Sequence, residues 1–400
     1  MEDASSRRFP VANLPSSSLP GDAVAIHRAV TFTLCLCFAA AGSAACEKES
    51  EPRSLAPSVA TSAAEAGGMD KLIRAAQKEG RLNTITLLRH WANYGGLIDG
   101  FEKKYGIKVI VDDANGDSQD EINAIKRYRG QERAPDVIDV GNPFAQSAAR
   151  QGLLATYRVT AYDQIATNQK DPQARWYHDY GGYMSIGCDA ARVKSCPLTF
   201  ADLLKPQYKG MVALNGGDPT TAESAFAGVY AAALANGGSF NDIQPGLDFF
   251  GKLVRAGNYN PGNPVPASIA RGDTPISINW DFLNLQHVDA LRSKGVDWKV
   301  SIPFDSSFSQ YYAQAINKDA PHPAAARLWE EYLASPEGQN LRLAYYARPV
   351  LMDSMKKNGT LDKRLAAKLP TVEGRPSFPS ETQLDKAQRV VDNKWRDAVS

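Results

Sequence analysis

Two short stretches of this chain could hold a small polar ligand. Gly116-Asp117-Ser118 leads into Gln119-Asp120-Glu121, and Gly217-Asp218-Pro219-Thr220 leads into Thr221-Ala222-Glu223. Each carries the S/T-x-x-E spacing of a capping box, Ser118 with Glu121 and Thr220 with Glu223, and so marks a helix N-terminus. A single box only satisfies backbone N–H groups that the first helical turn leaves unpaired. Two such termini facing one cleft from opposite sides would form a site, with Ser118, Thr220 and Thr221 as its polar groups. Motifs for covalent or metal chemistry are missing: there is no G-x-S-x-G, H-E-x-x-H, G-x-x-x-x-G-K-[ST] or G-x-G-x-x-G. His90, His178, His287 and His322 lie at no metal-ligand spacing from one another or from a cysteine. The pattern favours binding over catalysis and implies no cofactor. A hydrolase with dispersed carboxylates is the alternative of a different class, since 44 acidic residues could hide a pair.

The N-terminus speaks to location. Arg7, Arg8 and Arg28 precede an apolar run from Ala29 to Ala41, and Gly42-Ser43-Ala44-Ala45 leads to Cys46. Basic segment, short apolar core and small-residue cleavage site make an export signal, and about 13 apolar residues are too few to span a bilayer. Cleavage before Cys46 would expose a thiol for lipidation; plain cleavage would leave it free. Cys188 and Cys196, eight positions apart, remain as an even pair. In an oxidising compartment they form a disulfide or stay as two thiols, because sequence does not give the Cα separation.

The elements that must position these residues follow an alternating order. Strands are expected at Leu82–Leu88, Lys108–Asp112, Asp136–Val140, Met211–Leu214, Pro275–Asn279 and Lys299–Pro303. Helical patterns fall at Asp70–Glu79, Leu97–Tyr105, Gln119–Arg129, Ala222–Asn236, Pro245–Ala256 and Phe282–Ser293. A region from Pro321 to Tyr345 breaks near Ser335-Pro336, and Thr382–Val399 carries a stripe of Leu384, Ala387, Val391 and Trp395. Such alternation argues for α/β sheets. Without the signal and the Ser/Ala/Pro/Glu-rich stretch behind it, roughly 330 residues remain, a natural length for two lobes. The net charge of +1 gives no reason to expect nucleic acid, and no later segment is apolar enough to cross a membrane.

Five ordered motifs complete the reading. Leu72-Ile73-x-Ala75-Ala76-x-x-Glu79-Gly80-x-Leu82 is followed by Phe101-Glu102-Lys103-Lys104-Tyr105-Gly106-Ile107-Lys108-Val109 and Ala134-Pro135-Asp136-Val137. Then come Thr199-Phe200-Ala201-Asp202-Leu203-Leu204-Lys205-Pro206-x-Tyr208-Lys209-Gly210 and Ser335-Pro336-Glu337-Gly338-Gln339. From Asp70 to Ala347 the chain resembles the extracellular solute-binding proteins of ABC importers, in the branch of polyamine, ferric-iron, thiamine and phosphonate binders. The resemblance implies a type II periplasmic-binding-protein fold of two α/β lobes on a β-strand hinge, crossing near Gly182–Ile186 and returning near Ser309–Ile316. The expected layout is signal 1–45, flexible linker 46–68, first lobe 69–182, second lobe 183–310, return 311–340, and C-terminal helices 341–400 packing on the lobes. The implied partners are a small-molecule ligand and a membrane permease, with a monomer expected and contact with the membrane only through a lipid at Cys46.

The resemblance also suggests ligand groups. Trp91 and Tyr94 sit where polyamine binders carry a Trp-x-x-Tyr whose rings pack on an aliphatic cation. Asn142 and Phe144 match a hydroxyl and a second aromatic, Asp218 a carboxylate that holds an ammonium, and Trp280 a stacking ring. A second amine-binding carboxylate is replaced in the returning strand by Tyr312, and Asp281 is the candidate to compensate. An organic cation or zwitterion is therefore expected. The rivals are a phosphonate on the two helix N-termini and ferric ion, for which His90 would be a ligand.

Overall fold

The computed structural model describes residues 54–113, 116–372 and 378–400; the export segment and Cys46 lie outside them. The chain runs α1 (Met69–Glu79), β1 (Arg81–Ile85), α2 (Tyr94–Tyr105), β2 (Lys108–Asp112), α3 (Ser118–Arg127), β3 (Val137–Gly141), α4 (Asn142–Arg150) and a long β4 (Tyr177–Asp189). It continues through β5 (Val212–Leu214), α5 (Glu223–Ala235), α6 (Gln244–Arg255), β6 (Tyr259–Asn260), α7 (Pro266–Arg271), β7 (Ile276–Trp280), α8 (Asp281–Ala290) and β8 (Trp298–Ser301). It ends with β9 (Ser309–Ile316), α9 (Pro323–Leu333), α10 (Pro336–Leu343), β10 (Arg348–Pro349), α11 (Met352–Asn358), α12 (Lys363–Ala366) and α13 (Glu381–Ala398).

Cap chemistry explains where several helices begin and end. Asn93, in the left-handed region at φ 63°, accepts from the Gly96 N–H and starts α2 three residues earlier than its apolar pattern suggests. Gly106 ends it at φ 69°, a conformation that costs glycine little. Ser380 caps α13, whose stripe of Ala387, Val391 and Trp395 is buried.

β1 and β2 pair in parallel, Leu82 opposite Val109. The other eight strands form a sheet in the order β3-β9-β4-β7-β5-β6, with β8 and β10 also on β4. β4 is antiparallel to β9 from Tyr177 to Tyr183 and to β7 from Met184 to Cys188, so it changes partners between Tyr183 and Met184. Every residue of β4 is buried, so it lacks the alternation that marks a half-buried strand. This mixed α/β architecture is two-lobed. β1–β3 with α1–α4 build one lobe and β5–β8 with α5–α8 the other; β4 runs through both, and β9 pairs with β3 and the first half of β4. The described residues from 54 to 400 fall in one compact unit; Trp91 of the first lobe meets Phe282 of the second edge-to-face at 5.5 Å.

Two ties secure the shared strand. A bulge between His178 and Tyr180 turns Asp179 onto Arg342 of α10, which donates to it at 3.0 and 2.7 Å. Both side chains are fully buried, and the guanidinium lies 4.0 Å from the Tyr94 ring centre and 4.1 Å from that of Tyr180. At the other end Cys188 is disulfide-bonded to Cys196, their Cα atoms 5.8 Å apart.

The expected flexible linker differs over its described part. Residues 54–68 form turns with Ala60, Ala63 and Ala66 buried, Ser62 bridged to Arg158, and the Ala60 carbonyl accepting from Arg327 at 2.8 Å. Small alanines let the backbone lie flat on the lobe, which a composition-based reading of linkers overlooks.

Candidate functional site

Between the lobes lies a cavity of about 460 Å³. The first lobe gives it the start of α3 and the face of α4, the second the Pro219–Phe226 segment, and β9 contributes Gln310. A fourth element was not foreseen: Leu384, Asp385 and Gln388 of α13 close one side. A groove of about 500 Å³ beside Trp298 and Lys368 is lined by neither α3, α4 nor β9.

Neither capping box forms as expected: the first is shifted by one residue and the second is absent. The N-cap of α3 is Asp117, paired with Asp120, which frees Ser118 to accept from the Gly141 N–H at 3.1 Å at the cavity wall. Glu121 is buried, accepting from Thr86 Oγ1 at 2.5 Å and from the Asp139 N–H at 2.9 Å. In the second lobe α5 begins at Glu223 after Ala222, with no side-chain cap. Glu223 therefore caps nothing, and its carboxylate reaches across the cleft.

There it accepts a short hydrogen bond from Gln310 Nε2 and lies 3.4 Å from the Tyr312 hydroxyl. The surrounding protein pushes the carboxyl pKa up by desolvation, against the lowering pull of these hydrogen bonds. Gly141 makes the approach possible: a Cβ there would lie 2.9 Å from Glu223 Oε1 and 3.2 Å from Gln310 Nε2. Tyr312 then leads inward, stacking on Tyr180 at 5.3 Å and meeting Trp91 at 5.7 Å. The cluster ends on buried Asp139, which accepts from Tyr180 and Gln314, each at 2.8 Å. Burial raises the Asp139 pKa to about 6, although Arg342 and the Tyr94 and Tyr180 hydroxyls pull it down.

Two lobes around a hinge and a polar cleft are a ligand-capture geometry. The profile of the family described as bacterial extracellular solute-binding protein matches residues 132–368. The chain belongs to that family. No curated protein sequence matches it. Its fold is similar to that of the periplasmic binding protein AfuA from Actinobacillus pleuropneumoniae, solved with fructose-6-phosphate bound. That match has 20% identity and a TM-score of 0.60 over 80% of this chain and 98% of that one. Iron-bound HitA from Pseudomonas aeruginosa is 17% identical with a TM-score of 0.57, covering 80% and 99%. The Atu4243 GABA receptor is 17% identical with a TM-score of 0.59, covering 80% and 97%. At these identities the likeness shows the fold alone: the type II periplasmic-binding-protein fold, as found in the binding proteins of ABC importers.

Of the residues singled out from the sequence of this solute-binding protein, Ser118, Phe144, Thr220 and Thr221 line the cavity. Asp218 is exposed and off the lining, its carboxylate taken by the Thr220 N–H and hydroxyl at 2.9 and 2.7 Å. Tyr312 reaches the cavity only through Glu223, and Trp91 is half-buried behind it with its N–H on the Tyr180 hydroxyl at 2.7 Å. Tyr94 is 1% exposed, its hydroxyl accepting from Gln314. Asn142 is buried against His178 at 3.1 Å. Trp280 is 1% exposed and stacks on Phe282 and Phe308 in the core of the second lobe. Asp281, fully buried, is ion-paired with Arg348 at 3.0 Å and accepts from the Tyr183 N–H. His90 is exposed in a surface groove beside Arg89 and Asp99, away from the cleft. Sequence reasoning missed Gln310, Phe226 and the cleft role of Glu223. The available signal was Glu223 itself, an acid four residues after the proline of a Gly-Gly-Asp-Pro stretch.

Proposed function

We propose that the protein captures a small organic cation or zwitterion, polyamine-like in its spaced amine, by closing its two lobes, and delivers it to an ABC importer permease. The lining of the cleft carries this reading: Asp117, Glu223 and Asp385 contribute carboxylates, Phe144 and Phe226 contribute rings, and no Lys, Arg or His is among the described lining residues. Carboxylates next to aromatic faces suit an ammonium on an aliphatic stem. They repel a phosphonate or sugar phosphate unless basic groups offset them. Glu223 supplies the acid that the returning strand lacks at Tyr312. The uncapped start of α5 favours a zwitterion as well as a simple amine, since free N–H groups there suit a carboxylate.

Ferric ion is less well supported, because among the described residues no group of three or more His, Cys, Asp or Glu could hold a metal ion. The reading includes export by segment 1–45, anchoring through Cys46, a monomeric state and binding without turnover. Calorimetric titration with putrescine, spermidine, 4-aminobutyrate, fructose-6-phosphate and ferric citrate tests it. An amine should bind with its titrated ligand recovered unchanged, and Glu223→Gln should weaken that binding about 10- to 100-fold, as expected for losing a charged hydrogen bond. Binding of the sugar phosphate or iron with the amines silent would overturn the reading.

A further inference from the structure

The helix α13 lies outside the residues that match the family, which end at 368, yet it shapes the cleft. One face is seated on the second lobe. Trp395 meets Phe250 edge-to-face at 5.3 Å, Lys394 donates to Gln244 at 2.7 Å, and Gln388 donates to the Pro219 carbonyl at 3.2 Å. Its other side packs against α4 of the first lobe. Leu384, half-buried, and Gln388 face the cavity where these contacts meet. Just before the helix, Phe378 rests on His178 of β4 at 5.2 Å and on Tyr311 of β9 at 5.7 Å, against both hinge strands.

We propose that α13 is a third wall of the ligand cleft: it rides on the second lobe, closes against α4 of the first, and must part from α4 before ligand can enter or leave. The wall would give this protein a selectivity element that its two lobes do not supply, with Leu384 and Gln388 bounding the length of ligand that fits. The gating part needs only the packing of α13 against α4; the selectivity part rests on the amine reading proposed above.

The test is small-angle scattering of the full ligand-free chain, paired with stopped-flow release of putrescine. Leu384→Asp places a charge on the cavity-facing side of α13, across from the α4 residues that line the cavity, and Trp395→Ala loosens the opposite seat, so each challenges the wall from a different side. Circular dichroism establishes that each variant is folded. Both variants should show a larger radius of gyration than the parent, and Leu384→Asp should release putrescine about tenfold faster, the change falling in the off-rate. Unchanged scattering for both folded variants would overturn the proposal whatever the ligand. If putrescine binds neither parent nor variants, the amine reading fails while the scattering result still decides the gate.

Discussion

Asp179→Asn tests the reasoning about the shared strand. Arg342 is fully buried, and its one carboxylate partner at hydrogen-bond distance is Asp179, at 2.7 Å. The Ala92 carbonyl, at 2.9 Å, and the two tyrosine faces remain as neutral partners. Removing the negative charge leaves a buried guanidinium uncompensated, which costs about 3–5 kcal/mol. Asp139 also attracts Arg342 from further off, so the lower end of that range is expected. An unfolding entropy of about 0.7 kcal/mol per kelvin for a domain of this size turns this into a drop of about 4–7 °C in Tm. Urea titration of parent, Asp179→Asn and Asp179→Asn/Arg342→Met gives the free energies directly. The double variant should recover most of the loss, because two neutral groups of similar shape replace the pair. A single-variant cost below about 1 kcal/mol, or a double variant no better than the single, would refute an isolated buried pair.

Two other perturbations have signs fixed by the structure. Glu330 of α9 is buried, and burial lifts its pKa from 4.5 to about 8 against the lowering hydrogen bond from Tyr177. Its contribution to stability is therefore fully present below pH 4.5 and lost as pH rises through 8, because the unfolded chain gives up the proton first. Glu330→Gln should flatten this fall, gaining on the parent as urea midpoints are followed from about pH 5 to pH 9; a constant difference across that range would count against the raised pKa. Reducing the Cys188–Cys196 bond, which closes a loop of eight positions, should cost about 2.5 kcal/mol on a chain-entropy estimate, or about 3–4 °C in Tm. Identical melts with and without reductant would show that the thiols are free.

Much of the fold could be read from sequence because alternating strands and amphipathic helices carry their own periodicity. β2 falls at Lys108–Asp112 as expected, and α9 and α10 part at Ser335 as the proline predicts. β4 was expected only as the crossing near Gly182–Ile186 that the resemblance implies, because a strand buried on both faces lacks the alternation that would mark Tyr177–Gly181 and Gly187–Asp189. The site was harder. A helix turns about 100° per residue, so moving the start of α5 to Glu223 redirects its carboxylate from the backbone into the cleft. Nor does residue type separate a ligand-facing ring from a packing one: Phe144 lines the cavity, while Trp280 and Tyr94 hold the cores of their lobes. The contribution of α13 is tertiary and has no local signature.

Gly141 has a mechanical meaning beyond the space it leaves. It faces Glu223 and Gln310 across the cleft, within 2.9 and 3.2 Å of where a Cβ would stand. A methyl group at that point would press on the ends of the Glu223 and Gln310 side chains and turn them aside, displacing the carboxylate that lines the cleft. The aim of the acid on one lobe is therefore set by the size of a single residue on the other.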